Sequence, residues 1–292
     1  MSLRRIGIVA NFTKPSASRR VQAAAKLIRL SGRQVLTDTE TGRFARMEAK
    51  RCQSIASLAK AAELILVVGG DGTMLRVARE LKGSQTPLLG INVGGLGFLT
   101  AVSAADLEEA LDKLWRGAYR FEARALIEAS GKSRGKAFTS VALNEFVISR
   151  RNISRLIELE TAVDGLFLTR YRGDGLIVSS PTGSTAYSLA AGGAVVYPTA
   201  EVFLLTPICP HALLNRSLVV NLSSNIEVRI VSEQPESTLS ADGQLERELS
   251  AGDRLLIRRS RNSVCLAHLE GSSFFETLRH KLNWSGSNLL NG

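Results

Sequence analysis

The residues whose placing says most about chemistry are Gly69-Gly70-Asp71-Gly72-Thr73, which follow directly on the apolar run Leu64-Ile65-Leu66-Val67-Val68. Glycines let the backbone turn sharply and let a ligand approach the main chain. A helix start beyond them presents unpaired N–H groups, which favour an anion such as phosphate. A carboxylate repels phosphate, so Asp71 serves another purpose: a metal ligand, or a base that takes the proton of an attacking hydroxyl. The same residues also allow a plain strand-to-helix turn in which Asp71 caps the helix.

Two further groups stand out. After Arg172-Gly173-Asp174-Gly175-Leu176-Ile177-Val178 comes Ser179-Ser180-Pro181-Thr182-Gly183-Ser184-Thr185-Ala186-Tyr187-Ser188. That density of hydroxyls suits hydrogen bonds to ribose, amide or phosphate oxygens, and Asp174 can accept from sugar hydroxyls or an exocyclic amine. A hydroxyl-rich turn with no ligand fits the same residues. Asn144 and Glu145 are polar, adjacent and set in an apolar stretch. Neighbouring strand residues face opposite sides, so both reach one ligand only where the strand ends or bends. There the pair would suit the vicinal hydroxyls of a ribose, the other possibility being an edge-strand polar pair.

Several other chemistries are excluded. Gly131-Lys132-Ser133 ends like a phosphate-binding P-loop, but position 126 is Leu and the spacing fails. No Gly-x-Gly-x-x-Gly opens the first helix, and no Gly-x-Ser-x-Gly elbow occurs. His211, His268 and His280 are too scattered for a metal site, and Cys52, Cys209 and Cys265 have no metal or redox spacing. Asn152-Ile153-Ser154 matches a glycosylation acceptor, which means nothing without a secretion signal.

These residues need a scaffold, and the chain can build one. Its 292 residues, 45% of them apolar, suit two modest domains with real cores. The first 115 or so alternate strand and helix signals in the manner of a doubly wound parallel sheet. Strands are expected at 6–10, from Val35, at 64–68 and at 87–92, with helices at 18–30, 55–62, 73–82 and 103–115. From Tyr119 the texture changes to short alternating runs at 125–129, 137–143, 146–149, 156–163, 166–171, 176–179, 218–222, 226–231 and 254–258. Turn signals such as Asp164-Gly165 and Asp242-Gly243 separate them. That pattern reads as a β-rich, sandwich-like second domain. Residues 274–282 look helical again.

The net charge of +10 is uneven: residues 1–60 carry 13 Lys/Arg and 3 Asp/Glu, and the rest carries 24 of each. Basic residues with few aromatics (5%) and no aromatic-basic interleaving favour solvated helix faces over a nucleic-acid site. No apolar run reaches membrane-spanning length. The expectation is a cytoplasmic protein with no nucleic-acid or membrane partner.

Taken together, Gly69-Gly70-Asp71-Gly72-Thr73, Asn92-x-Gly94-x-Leu96-Gly97-Phe98-Leu99-Thr100, Asn144-Glu145, Asp174 to Ser179, Thr185-Ala186-Tyr187 and Gly192-Gly193 resemble NAD kinases of the bacterial type. Leu278-Arg279-x-Lys281-Leu282-x-Trp284 is similar to that family's end, so the resemblance covers nearly the whole chain. Gly-Gly-Asp-Gly alone is shared with phosphofructokinases and with diacylglycerol and sphingosine kinases. The Thr185-Ala186-Tyr187 loop and the Asn144-Glu145 pair are far more specific. Ser180, where a Thr is usual, and Ala194, where a Pro is usual, depart from the pattern and bear on loop rigidity more than on chemistry.

The resemblance implies transfer of the terminal phosphoryl group of ATP, or of polyphosphate in some members, to the 2′-hydroxyl of the adenosine ribose of NAD. The products are NADP and ADP. It implies Asp71 as proton acceptor and a divalent metal cation, Mg²⁺, with ATP and NAD as substrates. Gly72 and Arg76 would line the nucleotide side, and Asn144 and Glu145 would hold NAD hydroxyls. Asp174, Thr185, Ala186, Tyr187 and Ser188 would grip the dinucleotide between two lobes. Arg155, Arg172 and Gln244 follow from alignment to motif surroundings, with exposed strand cations as the other reading of the two arginines. The implied fold is an α/β N-terminal lobe, Rossmann-like in the manner of diacylglycerol kinases, of residues 1–118 with 272–292. An all-β sandwich-like C-terminal lobe spans 119–271. Family members are homodimers or homotetramers. A lipid kinase of the diacylglycerol or sphingosine type and a non-enzymatic nucleotide sensor are the alternative functions.

Overall fold

The structure is a computed structural model that describes residues 3–284 apart from 14, 101, 134, 152–154, 213–214 and 234–236. The tripeptide Asn152-Ile153-Ser154 lies outside the described residues. The chain divides into two compact units, Met1–Ala123 with Val264–Gly292, and Arg124–Ser263.

The first unit runs β1 (Arg5–Ala10), α1 (Pro15–Leu30), β2 (Gln34–Asp38), α2 (Thr39–Phe44), β3 (Lys50–Cys52), α3 (Ile55–Ala61), β4 (Leu64–Gly69), α4 (Asp71–Glu80), β5 (Leu88–Asn92), β6 (Val102–Ser103) and α5 (Leu107–Trp115). Its strands pair in parallel in the order β3-β2-β1-β4-β5. Every residue of β4 is buried. A strand covered on both faces cannot alternate, which is why its sequence is a continuous apolar run. Helix α1 turns Val21, Ala24, Ala25 and Ile28 onto the sheet at helical spacing. The elements read from sequence are present here. Two short ones, α2 and β3, carry too few apolar residues for periodicity to reveal them. Ser103 opens a single 3₁₀ turn at Ala104–Asp106 before α5 begins.

The second unit is antiparallel. It holds β7 (Tyr119–Ser133, which begins in the first unit), β8 (Lys136–Ala142), β9 (Glu145–Arg150), β10 (Ile157–Val163), β11 (Leu166–Gly173), β12 (Gly175–Ser179), α6 (Tyr187–Ala190), β13 (Val202–Ile208), β14 (Leu218–Asn221), β15 (Ile226–Ile230), β16 (Ser237–Ala241) and β17 (Leu245–Leu249). The start of β18 (Arg254–Leu269) also belongs to it. One sheet orders β14-β13-β12-β9-β16-β17, and the facing one orders β11-β10-β15-β18 with β7 and β8 beyond. Leu159, Val228 and Ile257 of one meet Phe146, Val178 and Phe203 of the other in a common core. This is a sandwich, in which strands such as β15 bury alternate residues.

Strands β13, β16 and β17 are additions to the sequence reading. Pro207 interrupts the apolar run of β13 but is tolerated, because β14 pairs only with 202–205 and leaves Pro207 without a ladder on that side. Gly131-Lys132-Ser133 lies in the β7–β8 hairpin and opens no helix, as its failed spacing requires. The chain ends, among the described residues, in α7 (Phe274–Leu282), which is part of the first unit.

Candidate active site

In the first unit, β1 is flanked by β2 and β4, so the chain reverses its direction of spread between β1 and β4. The carboxyl ends of strands at such a reversal are where open α/β sheets bind ligands. Asp71 lies just beyond the end of β4. Gly69 is required there, because a β-carbon on it would fall against the Thr73 side chain.

The capping alternative is overturned. Gly70 is the N-cap of α4, and no side chain caps that helix. The Asp71 carboxylate turns instead to the loop after β5. Phe98 N–H donates to Oδ2 at 2.8 Å, and Leu99 N–H and the Thr100 hydroxyl donate to Oδ1 at 3.1 Å each. Thr100 is held in turn by Asn92, whose Nδ2 donates to its hydroxyl oxygen at 2.7 Å and to the Gly95 carbonyl at 2.6 Å. Asn92 Oδ1 accepts from Gly94 N–H at 2.7 Å. With its oxygen occupied by Asn92, the Thr100 hydroxyl is left to donate to Asp71. A carboxylate has about four lone-pair sites, so three donors leave room for one more. Gly72 is exposed beside it. Arg76 stands one turn on, its guanidinium 3.1 Å from the Ala10 carbonyl, 5.2 Å above the Phe12 ring and 3.8 Å from Glu80.

In the second unit, Asn144 sits in the turn between β8 and β9, and β9 starts at Glu145. The strand therefore breaks where one ligand would need both side chains. The turn is fastened from two sides. Ser180 N–H donates to the Asn144 carbonyl at 2.8 Å, and the Ser180 hydroxyl donates to the Leu143 carbonyl at 2.5 Å. The serine at this position thus ties the loop by its hydroxyl. From the other side the Asp242 carboxylate accepts N–H groups of Leu143, Asn144 and Glu145 at 2.8–3.1 Å. Glu145 is 6% exposed, and its Oε2 has no hydrogen-bond partner among the described residues. Burial first, and the charge of Asp242 second, push its carboxyl up to about 8. Near neutral pH it keeps its proton and can donate as well as accept.

The hydroxyl-rich segment forms a 3₁₀ turn, Thr182–Thr185, and the short α6. Thr185 donates to the Thr182 carbonyl at 3.3 Å, and Ala186 is half-buried. The Tyr187 side chain is exposed. Ser188 is fully buried and shares a 2.9 Å hydrogen bond with Thr206. Asp174, at the junction of β11 and β12, lies 3.0 Å from Arg150, a partner that sequence did not suggest. Gln244 is exposed in the β16–β17 turn, two residues from Asp242.

Arg155 and Arg172 share one open cavity with Leu156, Glu158 and Ser232, and none of Asn144, Glu145 or residues 185–188 lines it. Arg172 is 3.8 Å from Glu158. Among the described residues no three His, Cys, Asp or Glu side chains gather as a metal cage. Asn92, Thr100 and Asp242 carry the site's geometry, yet sequence reading assigned them no role. Asn92 and Thr100 stood in a recognised motif, and Asp242 showed only as a turn signal.

Comparison with known proteins bears on these two clusters together. Residues 6–119 match the model of the ATP-NAD kinase N-terminal domain, and residues 143–269 that of the ATP-NAD kinase C-terminal domain. The NAD kinase of Moorella thermoacetica is 42% identical over 98% of this chain and 91% of its own length. That of Thiobacillus denitrificans is 37% identical over 96% of each. Among solved structures, a yeast NADH kinase complexed with NADH superposes with a TM-score of 0.89 over 100% of this chain and 91% of its own, at 24% identity, a likeness of fold alone. An NAD kinase from Archaeoglobus fulgidus in complex with ATP gives 0.75 over 97% and 100%, at 29% identity. Near full-length identity at this level, both domain models and the shared fold agree: the chain belongs to the NAD kinase family, and its activity is that of an NAD kinase.

Proposed function

We propose that the chain transfers the terminal phosphoryl group of ATP to the 2′-hydroxyl of the adenosine ribose of NAD, with Asp71 as the proton acceptor. The 2′-oxygen forms the new bond to the γ-phosphorus, the bond to the β–γ bridging oxygen breaks, and ADP leaves. The hydroxyl proton passes to the Asp71 carboxylate. The observation that carries this reading is the aim of that carboxylate: three donors from 98–100 turn it toward the loop after β5. General-base help of this kind is worth about 10²–10⁴ in rate.

The remaining roles divide between the units. In the first, Gly72 and Arg76 serve the nucleotide. In the second, Asn144 and Glu145 hold ribose hydroxyls, one as an amide and the other as a neutral acid able to donate. Asp174, Thr185, Ala186, Tyr187, Ser188 and Gln244 complete the dinucleotide contacts. The Ser188 hydroxyl is already engaged by Thr206, so its part is to shape the loop. Arg155 and Arg172 offer cations for phosphate. A divalent cation such as Mg²⁺ supplies charge neutralisation when bound. The donor set fits a metal carried mainly by triphosphate oxygens and water, since Asp71 is the one carboxylate of the 69–73 loop.

We place the enzyme in the cytoplasm as a homodimer or homotetramer; no described helix is long and apolar enough to cross a membrane. A lipid acceptor would want an apolar groove, and the 179–188 loop is lined with hydroxyls. The test is direct. Wild type with MgATP forms NADP from NAD, forms nothing from diacylglycerol, and stops with EDTA. Asp71→Asn folds and loses turnover by about 10²–10⁴-fold. Near-wild-type ADP release by that variant removes Asp71 from the mechanism.

A further inference from the structure

Asp242 makes contacts that a turn residue does not need. The β16–β17 hairpin closes through Gln244 N–H to the Ala241 carbonyl. The Asp242 side chain reaches across to residues almost a hundred positions earlier. Its Oδ2 accepts from Leu143 N–H at 2.9 Å, and its Oδ1 from Asn144 N–H at 2.8 Å and Glu145 N–H at 3.1 Å. Its own N–H donates to the Glu145 carbonyl at 3.0 Å. The carboxylate is buried, at 8% exposure. Three consecutive N–H groups turned toward one point form a concave nest for an anion. Here the chain fills the nest itself, and the two side chains leaving it are Asn144 and Glu145. A second observation comes from Glu145, whose buried Oε2 lacks a partner among the described residues. A buried acid left unsatisfied is costly unless a ligand completes it.

We propose that Asp242 is a positioning residue for the acceptor substrate: by gathering the N–H groups of 143–145 it sets the turn that presents Asn144 and Glu145 to the hydroxyls of the dinucleotide. The inference rests on the NAD-phosphorylating reading of the preceding section. Asp242 touches no reacting atom. Its influence passes through the backbone it clasps and through its charge, which acts directly on Glu145. Strand β12 faces Glu145 with Ser179, and on the side of β16 Asp242 is the charged group that acts on it.

The test uses the full-length enzyme and Asp242→Asn, which keeps the shape, removes the charge and turns an amide N–H₂ toward at least one backbone N–H. The expected result is a rise in KM for NAD of about 10-fold or more, with KM for ATP changed by less than about twofold. The pH profile supplies a readout that a merely structural role would not move. In wild type, KM for NAD changes with an inflection near pH 8, where Glu145 loses its proton. Without the charge of Asp242 that inflection moves to lower pH. Equal losses for both substrates, or an unmoved inflection, overturn the proposal.

Should Asp242→Asn fail to fold, hydrogen exchange of the wild type decides. The amides of Leu143, Asn144 and Glu145 should exchange far more slowly than that of the exposed Gly165, and equal rates overturn the proposal. The underlying reading fails separately: wild type that makes no NADP refutes the function, whereas normal NADP formation by wild type with an unaffected Asp242→Asn refutes only this role.

Discussion

At the residue scale, two carboxyl groups are put to opposite uses by their surroundings. Asp71 is half-buried and clasped by three donors, and Glu145 is buried with one oxygen unpartnered. Holding a proton up to about pH 8 has a thermodynamic consequence for Glu145. In the unfolded chain the group ionises near its ordinary value of 4.5. Its folded value is raised, so its contribution to stability is fully present below about pH 4.5 and is lost as pH rises toward 8. Glu145→Gln cannot ionise and escapes that loss. The stability advantage of Glu145→Gln over wild type should therefore grow between pH 4.5 and 8, reaching the order of a few kcal/mol, and level off above. Chemical denaturation at a series of pH values measures it, and a pH-independent difference contradicts the burial argument. NAD binding near neutral pH should be largely kept in the same variant, because the amide N–H₂ donates where the protonated acid did and the amide oxygen accepts.

At the element scale, the loop between β5 and β6 is an instrument for aiming Asp71. Asn92 ends β5, and Phe98, Leu99 and Thr100 lie where the loop comes back past the start of α4. Gly97 is needed for close approach: a β-carbon there would fall against Asp71 Oδ1 and the Thr100 hydroxyl. Gly97→Ala should therefore displace the carboxylate while sparing the sheet behind it. Misplacing a catalytic group by an ångström can cost about 10²-fold in rate. We expect turnover to fall by about that factor with the thermal midpoint lowered by only a few degrees. Full activity in Gly97→Ala would show that the observed carboxylate position is not the working one. Helix α7 touches this loop too, with the rings of Phe274 and Phe98 6.5 Å apart.

At the scale of the whole molecule, the first unit is assembled from both ends of the chain, so neither end alone completes it. In the second unit β11 stands at a sheet edge and carries Leu166 and Phe167, which are 76% and 67% exposed. An antiparallel edge strand can pair with its own copy about a two-fold axis, the self-complementary arrangement common in homodimers. We propose this edge as the place where copies of the chain would meet in the expected dimer or tetramer. Light scattering at micromolar concentration should give at least twice the subunit mass of 31.5 kDa, and Phe167→Glu should shift the population toward single subunits. A monomeric wild type removes this assignment.

Local order and chemistry were legible in the one-dimensional text because they depend on near neighbours. Periodicity revealed the helices and the buried parallel strands, alternation revealed the sandwich strands other than β13, β16 and β17, and the glycines around Asp71 marked a tight strand-to-helix junction. Motif types and spacings were enough to suggest the family. Elements with little apolar contrast, α2 and β3, escaped the same logic. Which groups hold the side chains in place was decided only in three dimensions. That Asp71 is gripped by 98–100, that Asp242 clasps 143–145, and that Glu145 keeps its proton all follow from contacts 27 to 99 residues apart in sequence. Hydrogen-bond partners and desolvation are properties of enclosure, and enclosure exists only once distant segments have packed together.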